Sequence, residues 1–166
     1  MAGTSARGAE PQVLLRAFHP TDEAGVVAVL DATFHSTWAP QLTPAALEAR
    51  LRNPPGPRYV SERGAEFVVA VDGDAVVGMV HWDGDFVHAL HVSPAAQRRG
   101  VGHALLSRAE AAIAAAGHSS ARLETDTFNT QSRAFYAARG YREIDSYPDH
   151  EWDSGLTTLL LEKTLG

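Results

Sequence analysis

The sequence contains no cysteine and only two methionines among its 166 residues. The absence of thiols excludes a disulfide framework, a thiolate metal site and a cysteine nucleophile. No apolar run reaches the roughly 18 residues that a membrane-spanning helix needs, so we expect no membrane partner. Basic residues are fewer than acidic ones: 14 Lys and Arg against 20 Asp and Glu give a net charge of −6. A general nucleic-acid binder is more often basic, so we expect no nucleic acid as a partner.

The composition is that of a globular protein. Apolar residues make up 45% and charged residues 20% of the chain, close to the average for soluble domains. A chain of this length forms one domain and buries about two thirds of its unfolded surface. Residues 1–11 are mostly small or polar and contain no apolar stretch that could serve as a signal peptide. We therefore expect a disordered leader over residues 1–11, a single domain over residues 12–166 and a cytoplasmic location.

Hydrophobic periodicity and turn residues predict the order β-α-α-β-β-β-α-β-α-β-β. Strands are predicted at residues 13–18, 66–71, 75–82, 86–92, 121–125, 141–147 and 156–163. Helices are predicted from residue 21 or 22 to 34, from 44 through 51, from the loop near 100 to about 116, and from about 130 to 139. The segment Asn53–Pro57 holds three prolines and is predicted to be a loop.

Three consecutive strands are predicted to form an antiparallel meander. The triplets Asp72-Gly73-Asp74 and Asp83-Gly84-Asp85 are typical of hairpin turns and separate the strands. The second and third strands are apolar at odd and even positions alike, so we expect helices to cover both faces of the sheet.

The segment Ser93–Gly102 connects the end of this meander to a long helix. Gly100 and Gly102 allow the backbone to approach a ligand closely. The first N–H groups of a helix lack internal partners and favour anions, and Arg98 and Arg99 add positive charge. These features favour a phosphate site. The loop has neither the Gly-Lys-Ser/Thr of a P-loop nor three fingerprint glycines. By itself it is equally compatible with tight strand-to-helix packing and solvated arginines.

A second motif narrows the interpretation. NTQSRAFYAARGY (Asn129–Tyr141), together with QRRGVG (Gln97–Gly102), resembles the GNAT family of N-acetyltransferases. Members of that family carry Gln/Arg-x-x-Gly-x-Gly/Ala after the fourth strand. Many also carry Asn-x-x-Ala-x-x-Phe-Tyr-x-x-x-Gly-Phe/Tyr after the fifth, where this chain has Ser132 in place of the alanine. The resemblance implies an α/β (α+β) fold, with a mixed, mostly antiparallel sheet of about seven strands and about four flanking helices.

The resemblance implies acetyl-CoA as co-substrate, whereas the placement of the histidines along the strands leads us to expect no metal. The fourth and fifth strands would separate, with the thioester between them. The edge of the fourth strand would pair with the pantetheine arm, and an N–H near its end would stabilise the oxyanion. Asn129 would contact the same arm through its amide. The implied residues of the arm and the pyrophosphate loop are Leu90, His91, Val92, Gln97, Arg98, Arg99, Gly100, Val101, Gly102 and His103.

Tyr136 corresponds to the family tyrosine that protonates the departing thiolate, a reaction open to a phenol at neutral pH. The alternative is that Tyr136 only packs in the core, a role that suits Phe135 better. For the general base, Glu124 and His88 are candidates of equal standing, and an acceptor that arrives neutral needs no base. His88 and His91 are three apart on a strand, so we expect them on opposite faces and unable to share a metal ion.

The resemblance places the acceptor pocket between the first two helices and the last loop, which supply Phe34, Trp38 and Trp152. The acidic last loop is suited to a cationic amine, or is an ordinary solvated loop. We therefore predict transfer of an acetyl group to a primary amine of a small molecule, by direct attack in a ternary complex. The alternatives are a protein or peptide N-acetyltransferase and a non-catalytic CoA-binding regulator. Homodimers are common in the family, so a homodimer is a further expectation.

Overall fold

The computed structural model describes residues 12–149 and 154–166. The predicted disordered leader and Trp152 lie outside these residues. Within the described ranges seven strands form one sheet, in the order β1-β2-β3-β4-β5-β7-β6. Neighbouring strands run antiparallel except β4 and β5, which are parallel. The strands are β1 Val13–Ala17, β2 Val68–Asp72, β3 Ala75–Asp83, β4 Phe86–Val92, β5 Ser120–Asp126, β6 Arg142–Pro148 and β7 Thr157–Thr164.

Of the five helices in the described residues, two cover one face of the sheet and two cover the other. One buried cluster joins α1 and α3 to the sheet through Val26 and Val60. A second cluster joins α4 and α5 to the opposite face, through Leu105 and Tyr136 among others. In the described part of the chain no helix is long and apolar enough to span a membrane. The helices are α1 Glu23–Thr33, α2 Pro44–Arg52, α3 Gly56–Arg63, α4 Val101–Ala115 and α5 Thr130–Ala138.

The predicted fold class and meander are confirmed, but the prediction of a loop over Asn53–Pro57 is wrong at its end. Helix α3 begins at Gly56, with Pro57 in its first turn. Proline fits there because the first N–H groups of a helix have no intrahelical partner. The helix buries Val60 against the sheet. Three prolines therefore mark the start of a helix as well as a turn.

A β-bulge at His88 changes which residues of β4 share a face. Trp82 pairs with Val87 and His81 pairs with Ala89, so His88 is an extra residue in β4. The His88 ring lies 5.1 Å from the ring of His81. His81 in turn contacts Phe67 in the cluster under α1 and α3.

Because of this bulge, the expectation that His88 and His91 lie on opposite faces of β4 is wrong. His91 also faces α1, since its Nδ1 lies 2.9 Å from the Thr33 hydroxyl. The inserted residue resets the alternation along the strand, so His88 and His91 lie on the same face. A period-two pattern in the sequence cannot show where an extra residue interrupts it.

Strands β4 and β5 pair over only two residues and then separate. The pairs are Phe86 with Arg122 and Val87 with Leu123. The closed end is held by Arg122, whose backbone N–H donates to the Asp85 carbonyl at 2.8 Å and whose guanidinium lies 3.0 Å from the Asp85 carboxylate. Beyond these pairs the sheet contains a gap, as the family resemblance implied.

Gly78 on β3 allows β4 and α4 to approach β3 closely. A Cβ at this position would lie 2.9 Å from the His91 carbonyl oxygen and 3.0 Å from a methyl group of Leu105. The carbonyl belongs to the neighbouring strand and cannot move without disturbing the sheet. A side chain at residue 78 would therefore push apart the elements that border the gap.

We expect Gly78→Ala to lower the free energy of unfolding by about 1–3 kcal/mol, the usual range for overpacking. The control is Gly56→Ala, where the nearest atom to the new Cβ is 3.9 Å away and the backbone is helical. This control should be neutral or stabilising, because alanine is the better helix former. Urea unfolding of both variants is the measurement. Equal stability of the two variants would contradict the close approach at Gly78.

Candidate active site

A cavity of about 900 Å³ passes through the gap between β4 and β5. Leu90, Val92 and Tyr136 line it from the side of α4 and α5, whereas Thr33 and Trp38 line it from the side of α1. Because the strands separate, one cavity reaches both faces of the sheet. The structure therefore brings together residues that an intact sheet would keep apart.

Nearly all the predicted site residues within the described ranges line this cavity. The exception is Arg99, whose guanidinium lies 3.0 Å from the Asp72 carboxylate on β2. Trp152 lies outside the described residues. The roles assigned to the lining residues stay predictions. The predicted residues that line the cavity are Phe34, Trp38, His88, Leu90, His91, Val92, Gln97, Arg98, Gly100, Val101, Gly102, His103, Glu124, Asn129 and Tyr136.

The loop before α4 has a backbone suited to an anion. Arg98 and Gly100 have φ angles of 67° and 77°, in the left-handed region. Turns of this kind often form nests, in which successive N–H groups converge on an anion. No side chain caps α4 at Gly100, so the first N–H groups of the helix are not taken by a capping side chain. The strain at a non-glycine residue such as Arg98 is typical of ligand-binding loops.

Two side chains brace this loop against the rest of the fold. The Gln97 side-chain amide donates to the Val92 carbonyl at 3.3 Å and ties the loop to β4. The His103 Nδ1 accepts from the Arg139 guanidinium at 3.1 Å, which links α4 to α5. Arg139 also stacks on the Phe135 ring, 3.7 Å from its centroid, and lines the cavity. The sequence analysis did not single out Arg139.

Of the two adjacent aromatic side chains on α5, that of Tyr136 is buried in the protein core. It is 8% exposed and packs edge-on against Phe135 and Tyr141. Burial raises the pKa of Tyr136, so its phenol stays protonated and can donate a proton or a hydrogen bond at neutral pH. Phe135 is only partly buried. The expectation that Phe135 takes the core position and Tyr136 does not is therefore wrong, because consecutive helical residues point in different directions.

Asn129 and Ser132 join the start of α5 to β5. The Asn129 side-chain oxygen accepts from the Ser132 backbone N–H at 3.0 Å and caps the helix. This leaves the amide nitrogen of Asn129 as the group able to contact a ligand. The Ser132 hydroxyl lies 2.9 Å from that of Thr125 on β5. The serine that replaces the family alanine thus has a structural partner.

His88 and Glu124 directly follow the last paired residues of β4 and β5, on either side of the gap. Both side chains are exposed and line the cavity. Glu124 accepts a hydrogen bond from the Tyr147 hydroxyl at 2.8 Å. The two candidate bases thus both border the opening of the gap.

Asp126 is a site residue that the sequence analysis missed. The Trp38 indole N–H donates to its carboxylate at 2.8 Å. Burial raises the pKa of Asp126, and the negative charges of Asp149 and Glu124 raise it further. Asp126 follows Glu124 by two residues on a strand, so the period of two was a signal that the two carboxylates share a face.

Trp38 reaches this position because α1 continues into a π-helical turn over Phe34–Trp38. Such turns are frequent at functional sites. The Trp38 ring lies 5.9 Å from the His91 ring.

Burial lowers the pKa of His91 to about 4 and lowers the pKa of His81 below its usual value. In residues 12–149 and 154–166 no three potential metal-ligating side chains are grouped closely enough to hold an ion.

The pKa of His91 predicts a pH dependence of stability. Between about pH 6.5 and pH 4 the unfolded chain binds a proton at His91 that the folded chain does not. The free energy of unfolding should therefore fall as the pH is lowered through this range, by up to about 3 kcal/mol from this residue. We expect His91→Asn, which keeps a polar partner for Thr33, to reduce this fall. Urea unfolding at several pH values measures it, and parallel curves for wild type and variant would contradict it.

Comparison with known proteins agrees with the geometry. None of the curated protein sequences compared shows a significant match. Among solved structures, a GCN5-related N-acetyltransferase from Rhodopseudomonas palustris is 22% identical, with 92% of this chain and 95% of that chain covered and a TM-score of 0.77. The PaiA N-acetyltransferase from Thermoplasma acidophilum, in complex with coenzyme A, is 17% identical, with 93% and 99% covered and a TM-score of 0.73.

The ribosomal-protein-S18-alanine N-acetyltransferase from Escherichia coli is 16% identical, with 93% of this chain and 95% of that chain covered and a TM-score of 0.67. At these identities the structural matches show a shared fold. The family itself follows from the sequence model described as the acetyltransferase (GNAT) family, which matches residues 27–141. Since that range is more than half of the chain, the protein belongs to the GNAT family of acetyltransferases.

Proposed function

We propose that the protein transfers an acetyl group from acetyl-CoA to a primary amine of a small molecule. The observation that carries the proposal is one continuous cavity through the sheet, with Tyr136 on one side and Glu124 and Asp126 on the other. An acyl donor and an amine can enter such a cavity from opposite faces. Membership of the family supports the acyl-CoA-dependent chemistry.

The donor side of the cavity offers contacts for each part of acetyl-CoA. The N–H groups around Arg98 and Gly100 are suited to the pyrophosphate. The β4 residues beyond Val87 have no β5 partner, so their backbone can pair with the pantetheine amides. An N–H near His91 or Val92 can then stabilise the oxyanion that develops on the acetyl oxygen. Acetyl-CoA supplies the activated acyl group, and the chain supplies its binding and orientation.

The transfer is a direct attack on the thioester. The amine nitrogen forms a bond to the acetyl carbon and the carbon–sulfur bond breaks. Tyr136 donates a proton to the departing thiolate. An ammonium acceptor loses two protons in total, the first before attack, to His88, Glu124 or water, and the second as the amide forms. One of these protons replaces the one that Tyr136 gave, and the other leaves to solvent.

The acceptor side favours a cationic amine. Glu124, Asp126 and Asp149 all line it, and the pKa of Asp126 is raised first by burial and then by the negative charges of Asp149 and Glu124. An ammonium ion placed there would offset this charge. A cavity of about 900 Å³ must hold both the cofactor arm and the acceptor, which supports a small acceptor. A peptide or protein N-terminus is the competing acceptor, and an amine panel that includes peptides separates the two.

We expect Tyr136→Phe to lower kcat about a hundred-fold or more, the usual contribution of a general acid, with acetyl-CoA affinity nearly unchanged. The matched control is Tyr141→Phe. The Tyr141 hydroxyl donates to Glu110 at 2.7 Å and Tyr141 does not line the cavity, so this variant should lose stability but keep its turnover. Thiol release from acetyl-CoA measures both. An unchanged kcat for Tyr136→Phe would show that Tyr136 is not the general acid.

A thermal shift tests the cofactor site without any acceptor. Acetyl-CoA at 100 times its Kd should add about 2.7 kcal/mol, or roughly 5–11 °C for a domain of this size. Gly100→Ala should reduce this shift, because alanine disfavours a φ of 77° and would distort the loop.

The matched control is Gly73→Ala in the β2–β3 turn. Its φ is 62°, and a Cβ added at Gly73, as at Gly100, would have no atom within 4 Å. Both variants should lose a similar amount of stability, about 1–2 kcal/mol, but only Gly100→Ala should weaken the cofactor shift. Equal thermal shifts in both variants would show that the loop at Gly100 does not take part in binding acetyl-CoA. No shift with wild-type protein at millimolar acetyl-CoA would overturn the proposed function.

A further inference from the structure

We propose that Arg139 binds the phosphate group on the ribose 3′-oxygen of CoA, so that the protein prefers CoA to dephospho-CoA. The inference rests on the proposed function, in which acetyl-CoA is the acyl donor, and it names a specificity-determining residue for that donor. Arg139 occupies one of the positions that the motif Phe-Tyr-x-x-x-Gly leaves unspecified. The family resemblance therefore does not assign it a role.

Arg139 is held beside the first turn of α4 by three contacts. Its Nε–H donates to the His103 Nδ1 at 3.1 Å, and an Nη1–H donates to the Phe135 carbonyl at 2.9 Å. The guanidinium carbon lies 3.7 Å from the centre of the Phe135 ring, a cation–π contact. That ring packs on α4 itself, since a Cβ added at Gly102 would lie 3.4 Å from it. The guanidinium is therefore fixed next to the loop that we assign to the pyrophosphate.

Most of the N–H donors of this guanidinium have no partner in the described part of the chain. An arginine carries five such donors, and the two hydrogen bonds use only two of them. No carboxylate within residues 12–149 or 154–166 pairs with Arg139, whereas Arg133 on the same helix pairs with Glu143 at 2.8 Å. Arg139 is partly buried and lines the cavity. It can therefore bind an anionic ligand without first breaking an ion pair.

A terminal phosphate matches these donors better than a bridging phosphate does. A phosphate monoester carries a charge of about −1.5 to −2 at neutral pH and three acceptor oxygens, and a guanidinium binds such oxygens in pairs. In CoA the 3′-phosphate is the monoester. The two phosphates of the pyrophosphate are suited to the backbone N–H groups around Gly100. The loop and Arg139 can thus bind different phosphates of one ligand.

Arg98 is the competing residue for the same phosphate. It also lines the cavity, from the loop before α4, but its side chain is exposed. An exposed arginine loses rotamer freedom when it binds a ligand, whereas the contacts of Arg139 already restrict its side chain. Preorganisation therefore favours Arg139 over Arg98.

The test measures the dissociation constants of CoA and dephospho-CoA by isothermal titration calorimetry, without any acceptor. The two ligands differ only in the 3′-phosphate, so the ratio of their constants isolates the contribution of that group. The proteins are wild type, Arg139→Gln, Arg98→Gln and Arg108→Gln. Arg108→Gln is the matched control: Arg108 lies on α4, is exposed and does not line the cavity, and its substitution removes the same charge.

We expect wild type to bind CoA about ten- to a hundred-fold more tightly than dephospho-CoA, as hydrogen bonds between charged groups imply. Arg139→Gln should abolish this preference by weakening the binding of CoA, with little change for dephospho-CoA. Arg98→Gln should weaken both ligands alike and keep the preference, because both ligands carry the pyrophosphate. Arg108→Gln should bind both ligands as wild type does.

Arg139→Lys is a second variant, because Arg139 also links α4 to α5. Lysine keeps the positive charge but not the planar fork of donors, so this variant should retain only part of the preference. Thermal unfolding without ligand shows whether each variant is folded. If Arg139→Gln does not fold, a smaller preference in Arg139→Lys than in wild type supports the inference, and an equal preference overturns it.

Three outcomes overturn the inference alone. The first is equal affinity of wild type for CoA and dephospho-CoA. The second is a preference that persists in Arg139→Gln, whether both ligands are weakened alike or neither is. The third is a loss of the preference in Arg98→Gln or Arg108→Gln as large as that in Arg139→Gln. All three leave a protein that binds CoA, whereas failure of wild type to bind CoA overturns the proposed function and this inference together.

Discussion

The separation of β4 from β5 after two residue pairs is the constraint on which the site depends. Arg122 closes one end of this junction through its backbone and side-chain contacts with Asp85. Beyond it, neighbouring backbone groups are free to bind a ligand instead of a strand. The gap also joins the two faces of the sheet. Tyr136 and Glu124, which an intact sheet would separate, therefore line one cavity.

The two halves of the cavity are suited to their proposed ligands by different physical means. On the proposed cofactor side, backbone N–H groups in left-handed turns and at a helix start would provide the anion site, with Gln97 and His103 bracing the loop. On the acceptor side, charged side chains of both signs surround aromatic rings. Backbone sites depend on local conformation and glycine, whereas side-chain sites depend on which elements fold together. This difference explains why the family motifs concern the cofactor and leave the acceptor undetermined.

The sequence predicted most strands and helices to within a few residues, because hydrophobic periodicity and turn residues act locally. Its errors have physical causes. Helix α3 was missed because Pro54, Pro55 and Pro57 indicate a break, although proline also fits a first helical turn. The shared face of His88 and His91 was missed because the bulge is set by pairing with β3. The choice of Tyr136 over Phe135 for the core depends on how α5 is rotated against the sheet.

The residues alone were sufficient to predict the start of α5 and the family, since both rest on short contiguous motifs with their own local physics, and the loop before α4 stays the predicted cofactor loop. The pairing of Trp38 with Asp126 was decided only by tertiary structure. The two residues are far apart in the chain, and they meet because the π-helical turn after α1 places the Trp38 indole beside the end of β5. Residues brought together in this way leave no periodic or local signal in the sequence.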